Sequence, residues 1–211
     1  MIIDLSHSIE PGMPVYPGSQ IPEIRELELS EESNVYVKSF AFDGHTGTHI
    51  DTPRHFFAGG DSISSLDVSN FTGNAEIVDC SKVMEGSYIP AQIIDDDKII
   101  ENNDFIIFYT GWAKKWGTED YFKGFPVLSQ ELAVILADST IKGIGLDVIS
   151  IDPVYSEDSS NHKIVLGAGK IIVENLTNLE VLLGRQFEFS CFPLNIKDGD
   201  GSPVRAVASL K

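Results

Sequence analysis

The sequence predicts an α/β protein with a mixed sheet or barrel-like core flanked by helices. Short runs rich in β-branched and aromatic residues recur along the chain, and segments with helical start and stop signals fall between the later ones. The first third is dominated by strand signals with little helix between them, which favours a mixed or barrel-like sheet over a purely parallel one. A composition of 42% hydrophobic and 22% charged residues suits a globular protein, and 211 residues suffice for a single domain, 1–211, with a substantial core.

Taken in order, a short strand is expected at residues 2–5. Pro11-Gly12, Pro14, Pro17-Gly18 and Pro22 mark turns, so residues 10–22 read as an irregular loop of the kind that often borders a site. Val35 to Phe42 follows as a strand, with further strands at Glu76 to Asp79, Phe105 to Tyr109, Gly143 to Leu146, Lys170 to Val173 and Glu188 to Leu194. The clearest helix opens with Ser129 as N-cap, has Glu131 in its first turn and places Leu132, Ile135 and Leu136 on one face. A second helix is expected from the capping-box pattern Thr177-Asn178-Leu179-Glu180, ending before Gly184. Shorter helices fit near 61–69 and 90–94. No internal repeat or linker divides the chain.

Charge narrows the partners. Thirty-two acidic against fifteen basic residues give a net charge of −17, so the surface repels phosphate backbones and anionic bilayers. Neither nucleic acid nor a membrane is expected as partner; a small-molecule substrate is. No basic stretch followed by an apolar run reads as a secretory signal, and no apolar run reaches bilayer length. Cys80 and Cys191 sit apart in apolar contexts without a CxxC spacing, as buried thiols in a reducing compartment do, and a cytoplasmic location is expected.

The chemistry concentrates in one segment. The chain has five His, so an eleven-residue window holds about a quarter of one by chance, yet residues 45–55 hold three. His45, His49, Asp51 and His55 share one parity, so an extended chain would project all four to one side, whereas a helix would turn Asp51 and His55 away from the first pair. Gly44, Gly47 and Pro53 disfavour helix. The expected picture is a strand ending in a loop, its polar face turned into a cavity.

His-x3-His-x-Asp supplies two imidazoles and a carboxylate, a set that suits Zn²⁺ or Mn²⁺ and leaves coordination positions open. Taken singly, Asp51 reads equally as a turn former before Pro53, and His55 as a loop histidine. More distant donors are His162, in the polar loop Ser159 to Lys163, and Glu174, at the end of the strand Ile171-Ile172-Val173; alone they read as well as a solvated loop His and a charge ahead of the Thr177 cap. Tyr16, Phe56, Phe57 and Trp112 are candidates to line an aromatic substrate pocket and equally candidates for ordinary core.

At this point the residues resemble a known family, the cyclase-like metal-dependent hydrolases that include bacterial kynurenine formamidase and isatin hydrolase. The block H-x-G-T-H-x-D-x-P-x-H-F is met in full by His45 through Phe56. Asp4-Leu5-Ser6-His7, Met13 to Gly18, Thr110-Gly111-Trp112, Gly145-Leu146-Asp147, Glu174-Asn175-Leu176 and Gly201 to Ala206 extend the resemblance along nearly the whole chain. It implies a swivelling β/β/α-type fold and a homodimer or homotetramer. It also implies that His45, His49 and Asp51 are metal ligands and His55 the catalytic acid/base. His162 and Glu174 match the pair that completes the site in members holding two metals, with Asp51 bridging; one or two ions per chain are therefore expected.

The implied reaction is hydrolysis of a carbon–nitrogen amide bond by metal-activated water, His55 taking the proton and returning it to the departing amine. Ser19-Gln20 after Pro17-Gly18 departs from the Gly-Asp of formamidase members, which leaves the substrate open between an aryl formamide such as N-formylkynurenine and a cyclic amide of isatin type. Two rivals stand beside this: a polyketide-like cyclase or dehydratase on the same site, and a non-catalytic metal-binding module. His55 speaks against the second rival, because such a module needs ligands but no spare base.

Overall fold

A nine-stranded mixed sheet organises the computed structural model, which describes residues 1–27, 35–94, 96 and 98–210. The strands are β1 (Ile2–Asp4), β2 (Glu23–Leu27), β3 (Val37–Ala41), β4 (His49–Asp51), β5 (Thr72–Asp79), β6 (Tyr88–Ile89), β7 (Phe105–Tyr109), β8 (Val127–Leu128), β9 (Gly143–Leu146), β10 (Ile171–Glu174), β11 (Phe187–Ser190), β12 (Gly201–Pro203) and β13 (Val207–Leu210). Helices are α1 (Lys98–Glu101), α2 (Gln130–Asp138) and α3 (Ser160–Gly167). The main sheet runs β1-β13-β11-β5-β7-β9-β10-β4-β12, with β2-β3 and β6-β8 as separate pairs. Its centre, β5-β7-β9-β10, is parallel, and the pairings on either flank are antiparallel. The expected mixed sheet is therefore the one that forms.

The sheet also curls. An isolated bridge pairs Ser6, just after edge strand β1, with Leu176, just after β10, and Thr177 N–H donates to the Leu5 carbonyl at 3.0 Å. These bonds join the β1 edge to the end of β10, the seventh of the nine strands in order, which gives the core its barrel-like character.

Strand β7, Phe-Ile-Ile-Phe-Tyr, is buried throughout and shows how the two-residue period divides the interior. Ile106 and Phe108 pack with Val78, Ile144 and Leu146 beneath α2 and α3, whereas Phe105, Ile107 and Tyr109 face a second cluster with Leu5, Ile50, Val173 and Phe189.

Helix α2 forms where its cap predicts: the Ser129 hydroxyl accepts from Leu132 N–H at 3.2 Å. Its buried stripe is Leu132, Ala133 and Leu136, and Ile135, expected on that face, is 41% exposed. The helix expected from Thr177 is instead a 3₁₀ turn, Leu179–Leu182. Thr177 N–H is taken by Leu5, and Asn178, at φ +58°, donates its side-chain amide to the Asp4 carbonyl, so the residues meant to open a helix are tied to β1. Near 61–69 the chain makes turns followed by a 3₁₀ turn at Val68–Phe71, and near 90–94 a 3₁₀ turn at Ala91–Ile93. The expected Val35 to Phe42 strand is β3, antiparallel to β2; β2, β12 and β13 are not predicted from sequence. No helix among the described residues is long and apolar enough to cross a membrane. Cys80 and Cys191 are free and buried.

Candidate metal and acid–base site

Three residues of β4 set up the site. Alternation sends Ile50 into the core and places His49 and Asp51 together on the other face. The antiparallel register with β10 puts Glu174 directly opposite His49, so a carboxylate joins the same face. On the other side β12 sets Gly201 against Asp51, where a Cβ would lie 2.6 Å from the His45 ring; only glycine leaves room for that imidazole.

The all-extended reading of residues 45–55 holds only for β4. His45 is brought back to Asp51 by a turn through Gly47, at φ +65°, and His55 by a 3₁₀ turn, Pro53–His55, whose last N–H bonds the Thr52 carbonyl. The left-handed Gly47 and the Pro53 start of the turn are the reasons. His162 likewise departs from expectation, lying in α3 rather than a loop. Asp152 caps that helix from eight residues upstream of Ser160, one oxygen accepting Asn161 N–H and the other His162 N–H, both at 3.0 Å. No side-chain cap comes from Ser159, at φ +46°, so the local sequence carries no start signal.

These elements bring His45, His49, Asp51, His55, His162 and Glu174 together. His45 Nδ1 lies 2.6 Å from Asp51 Oδ1, and His49 Nε2 lies 3.3 Å from the same oxygen and 3.5 Å from Glu174 Oε2. His162 Nε2 is 3.6 Å from Asp51 Oδ2 and 3.3 Å from Glu174 Oε1. Two triads of potential ligand atoms result, His45-His49-Asp51 and Asp51-His162-Glu174, each with its atoms within 4.8 Å of one another and sharing Asp51. A third, His45-His55-Asp200, shares His45.

Hydrogen bonds fix the two buried rings. His49 Nδ1 donates to the Gly47 carbonyl at 2.9 Å and His162 Nδ1 to Asp152 at 2.7 Å, so both turn Nε2 toward the carboxylates. The Gly47 carbonyl is held in turn by the Asn175 side-chain amide at 2.8 Å; Asn175, at φ +57°, also accepts from the Tyr121 hydroxyl. Glu174 is steadied by Ile151 N–H.

Burial penalises charge here, yet pairing favours the charged forms of His45, His162 and Asp51. For His45 burial acts downward, but Asp51 and Asp200 outweigh it and hold the pKa at about 10. Burial also opposes charge on His162 and on Asp51; the carboxylates Asp152, Asp51 and Glu174 raise the former, and the surrounding histidines lower the latter. His55 goes the other way: burial, with His45 and His162 nearby, lowers it against the pull of Asp51 and Asp200.

The cluster opens into a cavity of about 240 Å³. Tyr16 and Phe56 line it, Tyr16 through a loop tied by its hydroxyl to the Val154 carbonyl at 2.6 Å. Trp112 does not reach it. Gly111, at φ +78°, turns the chain so that the Trp112 indole enters the core and donates to the Tyr121 carbonyl, and Phe57 packs against Gly167 instead. Sequence reasoning missed Asp152, Asn175 and Asp200, all within hydrogen-bond reach of site groups. Asn175 and the residue after Asp200 fall in family-like blocks, which is the one signal that pointed near them.

Fold and site together define an α/β protein whose cavity floor is a His/carboxylate cluster able to hold a divalent cation. The chain belongs to the cyclase family: residues 3–153 match the family described as "Putative cyclase". It is 31% identical over 207 residues to a kynurenine formamidase of Bacillus cereus, covering 97% of this chain and 95% of that one. It is 32% identical over 210 residues to a kynurenine formamidase of Salinibacter ruber, covering 98% and 96%. Isatin hydrolase A from Labrenzia aggregata, solved with benzyl benzoate bound, superposes with a TM-score of 0.89 at 25% identity, covering all of this chain and 93% of that one. These relatives are hydrolases acting on C–N bonds other than peptide bonds.

Proposed function

We propose that this chain is a divalent-metal-dependent hydrolase of a small amide, either an aryl formamide such as N-formylkynurenine or a cyclic amide of isatin type. The observation that carries the reading is Asp51, shared between two ligand triads with His55 beside them. The donor set fits a cation: imidazole and carboxylate atoms converge, and the backbone and Asp152 bonds already direct Nε2 of His49 and His162 inward. His45, His49 and Asp51 would hold one ion, and Asp51, His162 and Glu174 a second; both Zn²⁺ and Mn²⁺ suit these donors. When bound, the ion supplies Lewis acidity, which activates water and polarises the substrate carbonyl.

The remaining chemistry belongs to side chains. His55 accepts the proton released as water attacks and delivers it to the nitrogen that leaves, and its lowered pKa keeps it neutral and basic near pH 7. Tyr16 and Phe56 offer aromatic faces at the cavity wall, which suits an aryl substrate. The exposed apolar residues Leu27, Val37 and Phe40 of the β2-β3 ribbon, with Tyr36 just before β3, support a homodimer or homotetramer, which light scattering measures.

The test is turnover after chelation and add-back of Zn²⁺ or Mn²⁺ on a panel of N-formylkynurenine, formanilides, isatin, other lactams and lactones. Metal-restored hydrolysis of an amide supports the reading. Rebinding of Zn²⁺ or Mn²⁺ with no turnover of any hydrolysable carbonyl overturns it and favours a cyclase, dehydratase or metal-binding role.

A further inference from the structure

We infer that Asp200 is a positioning residue that holds two imidazoles, His55 and His45, on one carboxylate oxygen and so selects the tautomer of each. The inference rests on the hydrolase reading above for its kinetic consequences, though not for its geometry. Asp200 Oδ2 lies 3.0 Å from His45 Nε2 and 3.4 Å from His55 Nδ1, and the two rings are 4.0 Å apart between centroids.

The segment carrying Asp200 is docked on both histidines. Its carbonyl accepts from Thr52 N–H and from the Thr52 hydroxyl, each at 3.0 Å, one residue ahead of the turn that presents His55. On its other side Gly201 lies against the His45 ring, and a Cβ on Gly44 would stand 2.9 Å from the Gly201 carbonyl oxygen. The carboxylate is thus held relative to both rings by backbone contacts.

A carboxylate only accepts, so each nitrogen facing it carries the proton. His55 is then protonated at Nδ1, which leaves the Nε2 lone pair as the basic position. His45 keeps its proton at Nε2 toward Asp200, so that a bound cation would take the place of the proton on Nδ1, which faces the ligand cluster 2.6 Å from Asp51. One acidic residue in this way assigns His45 to the cation and His55 to proton transfer, the same logic by which outer carboxylates orient ligating and catalytic histidines in general.

The test uses Asp200→Ala and Asp200→Asn in the zinc-loaded protein, with Asp198→Asn as a control that removes an exposed charge from the same loop. Long-range ¹⁵N–¹H spectra of the histidine rings read tautomers without any substrate. In wild type His55 is expected as the Nδ1–H form and His45 as the Nε2–H form, and in Asp200→Ala the His55 preference is lost. With an amide substrate, kcat falls about 10–100-fold with KM little changed. Because the Asp200 side chain is 52% exposed, added formate can enter the gap and restore part of that loss. Asp200→Asn, which keeps the shape, shows the same signature at smaller amplitude and serves if the alanine variant does not fold.

Retention of the Nδ1–H form of His55 in both variants overturns the inference. So does a loss of kcat that added formate leaves unrestored while zinc is kept saturating. If wild type turns over nothing, the hydrolase reading fails and the spectra still decide the role of Asp200.

Discussion

Asp152 accepts the backbone N–H of His162 at 3.0 Å and its ring Nδ1–H at 2.7 Å through a single oxygen, while its other oxygen accepts Asn161 N–H. One side chain therefore both starts helix α3 and aims the ring that α3 carries. Removing it undoes two things at once. Asp152→Ala is expected to weaken divalent-metal affinity about 10–100-fold, the usual effect of losing a carboxylate behind a ligating histidine, and to lower stability by about 1–2 kcal/mol through the lost cap. Calorimetric titration with Zn²⁺ and Mn²⁺ measures the first, and denaturant unfolding of the apo protein the second. Unchanged metal affinity in a folded variant would remove His162 from the ligand set.

His49 and His55 should separate cleanly. His49 is buried on β4, with Nε2 turned to Asp51 and Glu174, and His55 stands on the adjoining turn beside Asp200. His49→Ala is expected to empty the site centred on Asp51. His55→Ala is expected to retain metal and lose about 10²–10⁴-fold in kcat, the range for a general acid or base. Elemental analysis alongside steady-state kinetics distinguishes them; metal loss in His55→Ala would make His55 a ligand.

How far the sequence reaches can be judged from these residues. The density and parity of His45, His49, Asp51 and His55 point to the site, because three histidines in eleven residues are rare and β4 does place two of the four side by side. Spacing could not show that Gly47 and Pro53 bend the chain so that the outer pair joins them. The central strands are legible because a buried parallel strand is a continuous apolar run, as Phe105 to Tyr109 is. Helix α3 is not, because its cap comes from Asp152, eight positions before its first residue, and such a partner leaves no local pattern. The Thr177 capping box misleads for the converse reason: its backbone is claimed by β1, and tertiary bonds overrule a local motif. Trp112 reads from sequence as either pocket aromatic or core, and only the left-handed Gly111 decides that it faces the core.

The cysteines give a simple chemical test of the core. Cys80 and Cys191 have no exposed surface, and burial raises the Cys80 thiol to about 12 and Cys191 higher still. Thiolate is the reactive form, so neither should react with a disulfide reagent in the native protein. Two equivalents should react promptly in denaturant. Rapid native labelling of either residue would show that the chain just after β5 or β11 opens.

His7 predicts a pH dependence of stability. Its ring stacks on Trp116 at 3.9 Å with planes 5° apart, its Nε2 is buried without a hydrogen-bond partner among the described residues, and burial lowers its pKa to about 4 from the ordinary 6.5. Between pH 6.5 and 4 the unfolded chain therefore binds a proton at His7 that the folded chain refuses, and stability rises with pH across that window. The contribution is complete above pH 6.5, declines as the solution is acidified, and changes no further below about pH 4. Full burial would make it about 3 kcal/mol; His7 is partly exposed, and solvent screening reduces this to about 1–2 kcal/mol. His7→Phe keeps a ring against Trp116 and cannot be protonated, so its urea midpoint should fall less than that of wild type between pH 7 and pH 4.5, while the two proteins differ little in slope above pH 7. The carboxylates and the other four histidines are common to both proteins and cancel in the comparison. Parallel acid curves would mean that His7 accepts its proton in the folded state, with Trp116 moving aside.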